Sequence, residues 1–173
     1  MRFLFLSLVM TFATQTEAEN MIDHSDWTYL ADTVMGGVST GTARVENLDR
    51  GKTIHLKGSV STENNGGFIQ VRANVGEGAA EDLEGVRLLV KGNEESYYIH
   101  LRVAGSFVPW HYYQQEFYAP NQWIEIKLPF SKFERSSRML RKALDSASVI
   151  TLGVVAYGKN YEAEIWIAKV EFY

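Results

Sequence analysis

The stretch Ser61 to Arg72, STENNGGFIQVR, changes character halfway along. Its first half is polar and rich in Asn and Gly, the composition of a turn. Its second half alternates Phe68, Gln70 and Arg72 against Ile69 and Val71, the period-two pattern of a half-buried strand. A turn followed by an alternating strand is the unit from which β-sandwiches are assembled, and the same unit recurs along the chain. The runs WTYLAD, TARVENL, TIHLKGSV, GFIQVRA, VRLLVKG, YYIHLRV, WHYYQQEFYA, WIEIKL, VITLGVVAY and EIWIAKVEFY are β-branched or aromatic and lie between turn signals. About ten such strands with almost no helix predict an all-β sandwich. One helix is expected over residues 136–146, with Phe133, Leu140 and Leu144 facing the sheet and Arg135, Arg138 and Lys142 outward.

Composition agrees with a single folded domain. Apolar residues make up 46% of the chain and charged residues 22%, and nine Tyr, nine Phe and four Trp supply the aromatics that pleated surfaces favour. A net charge of −4 gives no general attraction to nucleic acid or to an anionic membrane. The absence of cysteine excludes disulfides, thiolate metal sites and thiol nucleophiles.

At the N-terminus, Arg2 precedes an apolar run from Phe3 to Ala13, and TQTEAEN follows with small Thr16 and Ala18. This is the pattern of a secretory signal peptide spanning 1–18, cut after Ala18, which leaves a domain of 19–173. The apolar run is much shorter than the roughly 20 residues of a spanning helix, so no stable membrane span is expected after cleavage. A secreted or periplasmic location is expected; the alternative, a mitochondrial presequence, is ordinarily Arg-rich and acid-poor, whereas this segment has one Arg followed by Glu17.

No phosphate loop, zinc-protease helix, nucleophile elbow or dinucleotide fingerprint is present, so no cofactor, metal or catalytic residue is assigned. The carboxylate Glu116 is the single candidate for acid–base work on the strands. His55, within a strand run, reads as a hydrogen-bonded packing residue, and Asp23 to Asp26 as an exposed entry segment.

Two glycine motifs stand out. DTVMGGVSTG, Asp32 to Gly41, and ENNGGF, Glu63 to Phe68, each interrupt apolar sequence with a Gly pair. The pairs Gly36-Gly37 and Gly66-Gly67 fit positions of positive φ, Asn64 and Asn65 tolerate the same region, and Asp32 and Ser39 suit side-chain bonds that close a turn.

With W…ADTVMGGVSTG, GSVSTENNGGFIQVR, NQWIEIKLPFSKF and the closing ITLGVVAYGK…EIWIAKVEFY, the chain resembles the complex I intermediate-associated protein family from Trp27 to Tyr173. The resemblance implies a galactose-binding-like jelly-roll sandwich, no enzymatic activity and a role in holding a protein client during assembly. It also implies kinship with carbohydrate-binding sandwiches, so a carbohydrate ligand stands beside the protein client.

Three strand runs carry polar and aromatic rows that suit either ligand: Phe68, Gln70 and Arg72; Tyr98, His100 and Arg102; and Tyr113, Gln115 and Phe117. Exposed strand positions more often hold Thr, Lys or Glu. On this reading Arg72, His100, Arg102 and Tyr113 line a binding cleft, with Gln70, Tyr98 and Gln115 beside them and Asn64 and Asn65 at its rim. A solvated polar face is the competing reading, and the basic stripe Arg135, Arg138, Arg141 and Lys142 is the alternative partner surface. Export is checked first: N-terminal sequencing of protein from the exported fraction should return a chain beginning near Glu19, and an intact Met1 would refute the signal peptide.

Overall fold

The computed structural model describes residues 19–76 and 78–173; the expected signal peptide lies outside them. Eleven strands form two sheets that pack face to face. Strands β1 (Trp27–Ala31), β4 (Phe68–Asn74), β6 (Glu95–Val103), β7 (Tyr113–Ala119), β9 (Glu134–Arg135) and β10 (Val149–Tyr157) build the first sheet, in the order β1-β4-β10-β6-β7-β9. Strands β2 (Thr40–Leu48), β3 (Gly51–Val60), β5 (Gly85–Gly92), β8 (Ile124–Pro129) and β11 (Tyr161–Phe172) build the second, in the order β2-β3-β11-β5-β8. All pairings are antiparallel. All ten runs read from the sequence fall on strands; the eleventh is the two-residue β9.

Alternation decides what is buried. Ile69, Val71 and Ala73 of β4, Tyr97, Ile99 and Leu101 of β6, and Leu152 and Val154 of β10 point inward from the first sheet. They meet Ile54 and Leu56 of β3, Val86, Leu88 and Val90 of β5, and Ile165, Ile167 and Val170 of β11. Tyr97 ties the layers: its hydroxyl donates to Asn93 Oδ1 (2.6 Å) and accepts from the Glu164 N–H (2.9 Å).

The helix expected over 136–146 does not form; the short helix is α1, Met21–His24, and residues 136–145 are turns. The carbonyls that such a helix would use are taken elsewhere. Arg135 Nη1 donates to Arg138 O (3.3 Å) and Leu140 O (2.8 Å), and the Tyr113 hydroxyl donates to Arg141 O (2.9 Å). A helix of this length is marginal without packing, so these bonds prevail. Phe133 and Leu140 are buried as expected.

Ahead of α1, Asn20 caps the helix and also reaches the second sheet. Its Oδ1 accepts from Ile22 N–H (3.3 Å) and Val170 N–H (3.0 Å), while Nδ2 donates to Ala168 O (3.1 Å). Ala168 is the extra residue of a bulge, where the β11–β5 register shifts between Ile167 and Lys169.

The two glycine motifs prove to be halves of one structure. Asp32 is fully buried and accepts four hydrogen bonds: Ser39 N–H (2.9 Å) on Oδ1, and Ser39 hydroxyl (2.5 Å), Gly67 N–H (2.5 Å) and Phe68 N–H (3.2 Å) on Oδ2. Ser39 Oγ in turn accepts from Ser61 N–H (3.0 Å). Gly36 and Gly67 have φ of +91° and +128°, as expected, and Asn64 and Asn65 take left-handed φ of 55° and 58°. Gly37 and Gly66 do not have positive φ; they are glycine because the Asp32 carboxyl leaves no room. A Cβ at Gly37 would overlap its Cγ, and one at Gly66 would stand 2.5 Å from Oδ2.

Burial alone would raise the Asp32 carboxyl, but the bonds from Gly67, Ser39 and Phe68 outweigh it and hold the group below its ordinary value. A lowered folded value means that its contribution to stability is present above the unfolded value, about 3.9, and is lost as pH falls through the folded one. Replacing Asp32 by Ala strands three buried N–H donors and should cost about 3 kcal/mol or more. Gly66→Ala should cost about 2 kcal/mol by overpacking. Thermal melting at neutral pH checks both, and unchanged melting would remove Asp32 from this role.

Candidate functional site

The outward face of the first sheet can be laid out from its pairings. On β4 the outward residues are Phe68, Gln70, Arg72 and Asn74, and opposite them on the central strand β10 stand Tyr157, Val155, Gly153 and Thr151. On β6, Tyr98 pairs with Val155, His100 with Gly153 and Arg102 with Thr151. On β7, Glu116 pairs with Tyr98 and Gln114 with His100, and Tyr112 precedes that strand. Gln70, Arg72, Tyr98, His100 and Arg102 therefore share one face, as read from the sequence.

Tyr113 and Gln115 do not join them. They pair with Leu101 and Ile99, whose side chains point into the core, and Tyr113 and Phe117 are buried there. The segment HYYQQEF is polar in both registers, and the aromatic row taken for a binding surface is the inward one. Its outward row is Tyr112, Gln114 and Glu116. Phe117 and Ala119, the most apolar pair in the strand, carried the signal for the correct register. Asn64 and Asn65 are exposed in the 3-10 turn Glu63–Asn65 leading to β4. Tyr112, Gln114, Thr151 and Tyr157 are the members that sequence reasoning missed.

The rings on this face pack against one another. His100 stacks on Tyr112 at 4.0 Å, and the Tyr157 ring stands edge-on to Tyr98 (5.7 Å) and to His100 (5.6 Å). Burial pushes His100 down to about 4, against a smaller opposing effect from neighbouring Gln114, so the imidazole is neutral at pH 7. Burial raises the Tyr112 hydroxyl, and neighbouring Tyr157 adds to the effect. Burial, then Glu116, raises Tyr98. Burial, then the charge of Arg102, lowers Arg72.

Four polar atoms on this face are buried without a hydrogen-bond partner: His100 Nε2, Arg102 Nε, Gln114 Oε1 and Thr151 Oγ1. Among the described residues, neither Arg72 nor Arg102 makes an ion pair. The second sheet's outward face differs. There Glu164 Oε1 meets both His55 Nε2 (3.1 Å) and Lys57 Nζ (3.2 Å), and His55 stacks on Trp166 at 4.4 Å, the packing role expected for it.

A separate groove of about 490 Å³ opens where the 104–111 loop meets residues 139–148, lined by Val103, Phe107, Val108, His111 and Leu140. Phe107 and Met139 are 94% and 84% exposed beside it. The basic stripe lies on these turns and not on a helix. Arg135 is bound to backbone carbonyls, and Arg141 Nη1 is 3.7 Å from Asp145 Oδ2, which leaves Arg138 and Lys142 outside any ion pair among the described residues.

Two antiparallel sheets with a polar, aromatic outer face define a jelly-roll β-sandwich of the kind found in carbohydrate-binding modules. A family 11 carbohydrate-binding module from Clostridium thermocellum, solved with a β-1,3-1,4-mixed-linked tetrasaccharide, superposes with a TM-score of 0.68 at 12% identity, covering 84% of this chain and 87% of the module. A family 30 module of a cellulosomal cellulase of the same organism gives 0.57 at 13%, covering 79% and 90%. An exo-β-agarase gives 0.57 at 5%, covering 89% of this chain and 24% of the agarase. These likenesses describe the fold. A comparison with curated proteins returns no match. The model of the family described as complex I intermediate-associated protein 30 matches residues 10–165, and the chain belongs to that family.

The His100 environment gives a direct check. Its folded value lies below the unfolded value of about 6.5, so the unfolded chain binds more protons between the two and stability falls as pH drops from about 6.5 to 4. NMR titration should find one imidazole that stays neutral down to about pH 4, and His100→Gln should remove that part of the pH dependence, up to about 3 kcal/mol. A His100 titrating near 6.5 would contradict the buried, ring-packed site.

Proposed function

We propose that this protein is a non-catalytic binding module that holds a protein client during assembly of a larger complex, and that it binds through the outer face of the first sheet. Family membership supports the client reading. The observation that points to this face is its set of buried polar atoms without partners, each of which gains most from a ligand that supplies the missing bond. His100, neutral and stacked on Tyr112, is suited to accept or donate one hydrogen bond in place. The signal-peptide pattern supports a site of action outside the cytoplasm.

A second reading is an exported carbohydrate-binding module using the same face. It is favoured by the cluster of Tyr98, Tyr112 and Tyr157, since such rings pack on sugars, and by the family 11 module solved with a tetrasaccharide on a similar fold.

Affinity capture from the source organism, run beside retention on mixed-linked β-glucan, separates the two. The expected result is a stoichiometric protein partner that the Tyr98→Ala/Tyr157→Ala variant no longer holds, although that variant remains folded. Retention on the glucan without a partner would establish the second reading. A partner held equally by the variant would move the site off this face.

A further inference from the structure

We propose that the outer face of the first sheet recognises its client by a carboxylate, received between Arg72 and Arg102, so that the segment it binds is acidic. This rests on the outer-face reading above and adds the chemistry of the ligand.

The two arginines flank the central strand β10. Arg72 lies opposite Gly153 from the β4 side, and Arg102 opposite Thr151 from the β6 side. Gly153 carries no side chain, and the Gln70 amide lies over it: a Cβ there would stand 2.9 Å from Gln70 Oε1. The long polar side chains can therefore fold across β10, whose outward positions Thr151 and Val155 are 8% and 1% exposed beneath them. Both arginines are themselves partly buried, and each lacks an ion pair among the described residues. They are close enough for the charge of Arg102 to act on Arg72. Arg102 Nε and the adjacent Thr151 Oγ1 are buried without partners.

Two like charges, partly dehydrated and near enough to act on one another, are unfavourable in the free protein. The chain does not lack acids to neutralise them, having 21 Asp and Glu against 17 Lys and Arg. On the second sheet those acids are used: Glu171 Oε1 meets Arg87 Nη1 at 3.0 Å and Glu171 Oε2 meets Lys169 Nζ at 3.0 Å. On the outer face of the first sheet the acids of the strands are Glu116 and Glu134, on β7 and β9, across from Tyr98 and Gln114 and not from either arginine. The counter-charge is thus left for the ligand. Guanidinium groups bind carboxylate oxygens through paired N–H bonds, and two half-buried arginines keep part of that donor set on the surface.

Three observations select an acidic protein segment. The net charge of −4 disfavours a polyanion such as nucleic acid, whereas a single local carboxylate needs only the two arginines. The rings of His100, Tyr112, Tyr157 and Tyr98 spend faces and edges on one another, which leaves a hydrogen-bonding surface more than a flat stacking platform. Family membership supplies a protein client.

The test uses the whole exported domain and three probes: a short glutamate-rich peptide, the same peptide with glutamine, and tetragalacturonate. NMR of the arginine Nε–H groups should show saturable shifts at Arg72 and Arg102 with the glutamate peptide at about 0.15 M salt, and binding at least about tenfold weaker for the glutamine peptide. The Arg72→Gln/Arg102→Gln variant should lose about tenfold in affinity while melting at the same temperature as wild type or higher, since removing the repulsion costs the free fold nothing. A purely structural arginine pair would instead lower the melting temperature and leave binding alone. Equal binding of both peptides, or preference for tetragalacturonate, overturns the proposal. If client capture is lost with the tyrosine variant but survives in the arginine variant, the carboxylate is refuted and the face stands; if it survives in both, the face reading itself fails.

Discussion

One buried carboxylate organises the end of the sandwich where the chain repeatedly changes sheets. The passages β1 to β2 and β3 to β4 both cross there, and Asp32 accepts from residues on each: Ser39 on the first, Gly67 and Phe68 on the second. The turn from β10 to β11 joins them through Gly158 N–H on Gly67 O (2.9 Å) and Asn160 Oδ1 on Thr62 N–H (2.7 Å). Because Phe68 is the first residue of β4, its bond to Asp32 fixes where that strand begins. In a pleated strand the starting point sets which residues face out. The outward direction of Gln70 and Arg72 is thus linked to a hydrogen bond two and four residues before them.

The two outer faces differ in how they pair charge, although Arg87 Nε on the second is also buried without a hydrogen-bond partner. The second sheet closes its charges internally, with glutamates placed between lysine, histidine and arginine partners. On the first sheet Arg102, a neutral imidazole and an amide each hold a buried polar atom without a hydrogen-bond partner, and Arg72 is half-buried beside them. Such an arrangement gives up stability in the free protein, and a core of two well-packed aliphatic layers tolerates the loss. Side chains already packed on one another before a ligand arrives lose less conformational entropy on binding.

The strands were legible because each is long enough for alternation to show, and the glycine pairs because few other residues occupy such turns. What the sequence left unread were relations between distant segments. That Asp32 makes Gly66 obligatory depends on residues more than thirty positions apart, so Gly37 and Gly66 looked like turn glycines when they are contact glycines. The register of β7 was misassigned because both of its rows hold Tyr or Gln, and only pairing with Ile99 and Leu101 decides between them. The helix expected over 136–146 had the right apolar spacing; what opposed it was the Arg135 side chain capturing its carbonyls, a contest that periodicity does not register.

Asn20 carries a consequence for geometry. By bonding to Ala168 and Val170 it stitches the start of the domain to the β11 bulge, and α1 rests against β3 and β11. The backbone at Glu19 therefore leaves from the sheet that does not hold Arg72 and Arg102. Whatever is joined at Glu19 meets the domain beside the β11 bulge, so a label fused there reports on that bulge before it reports on β4 or β6.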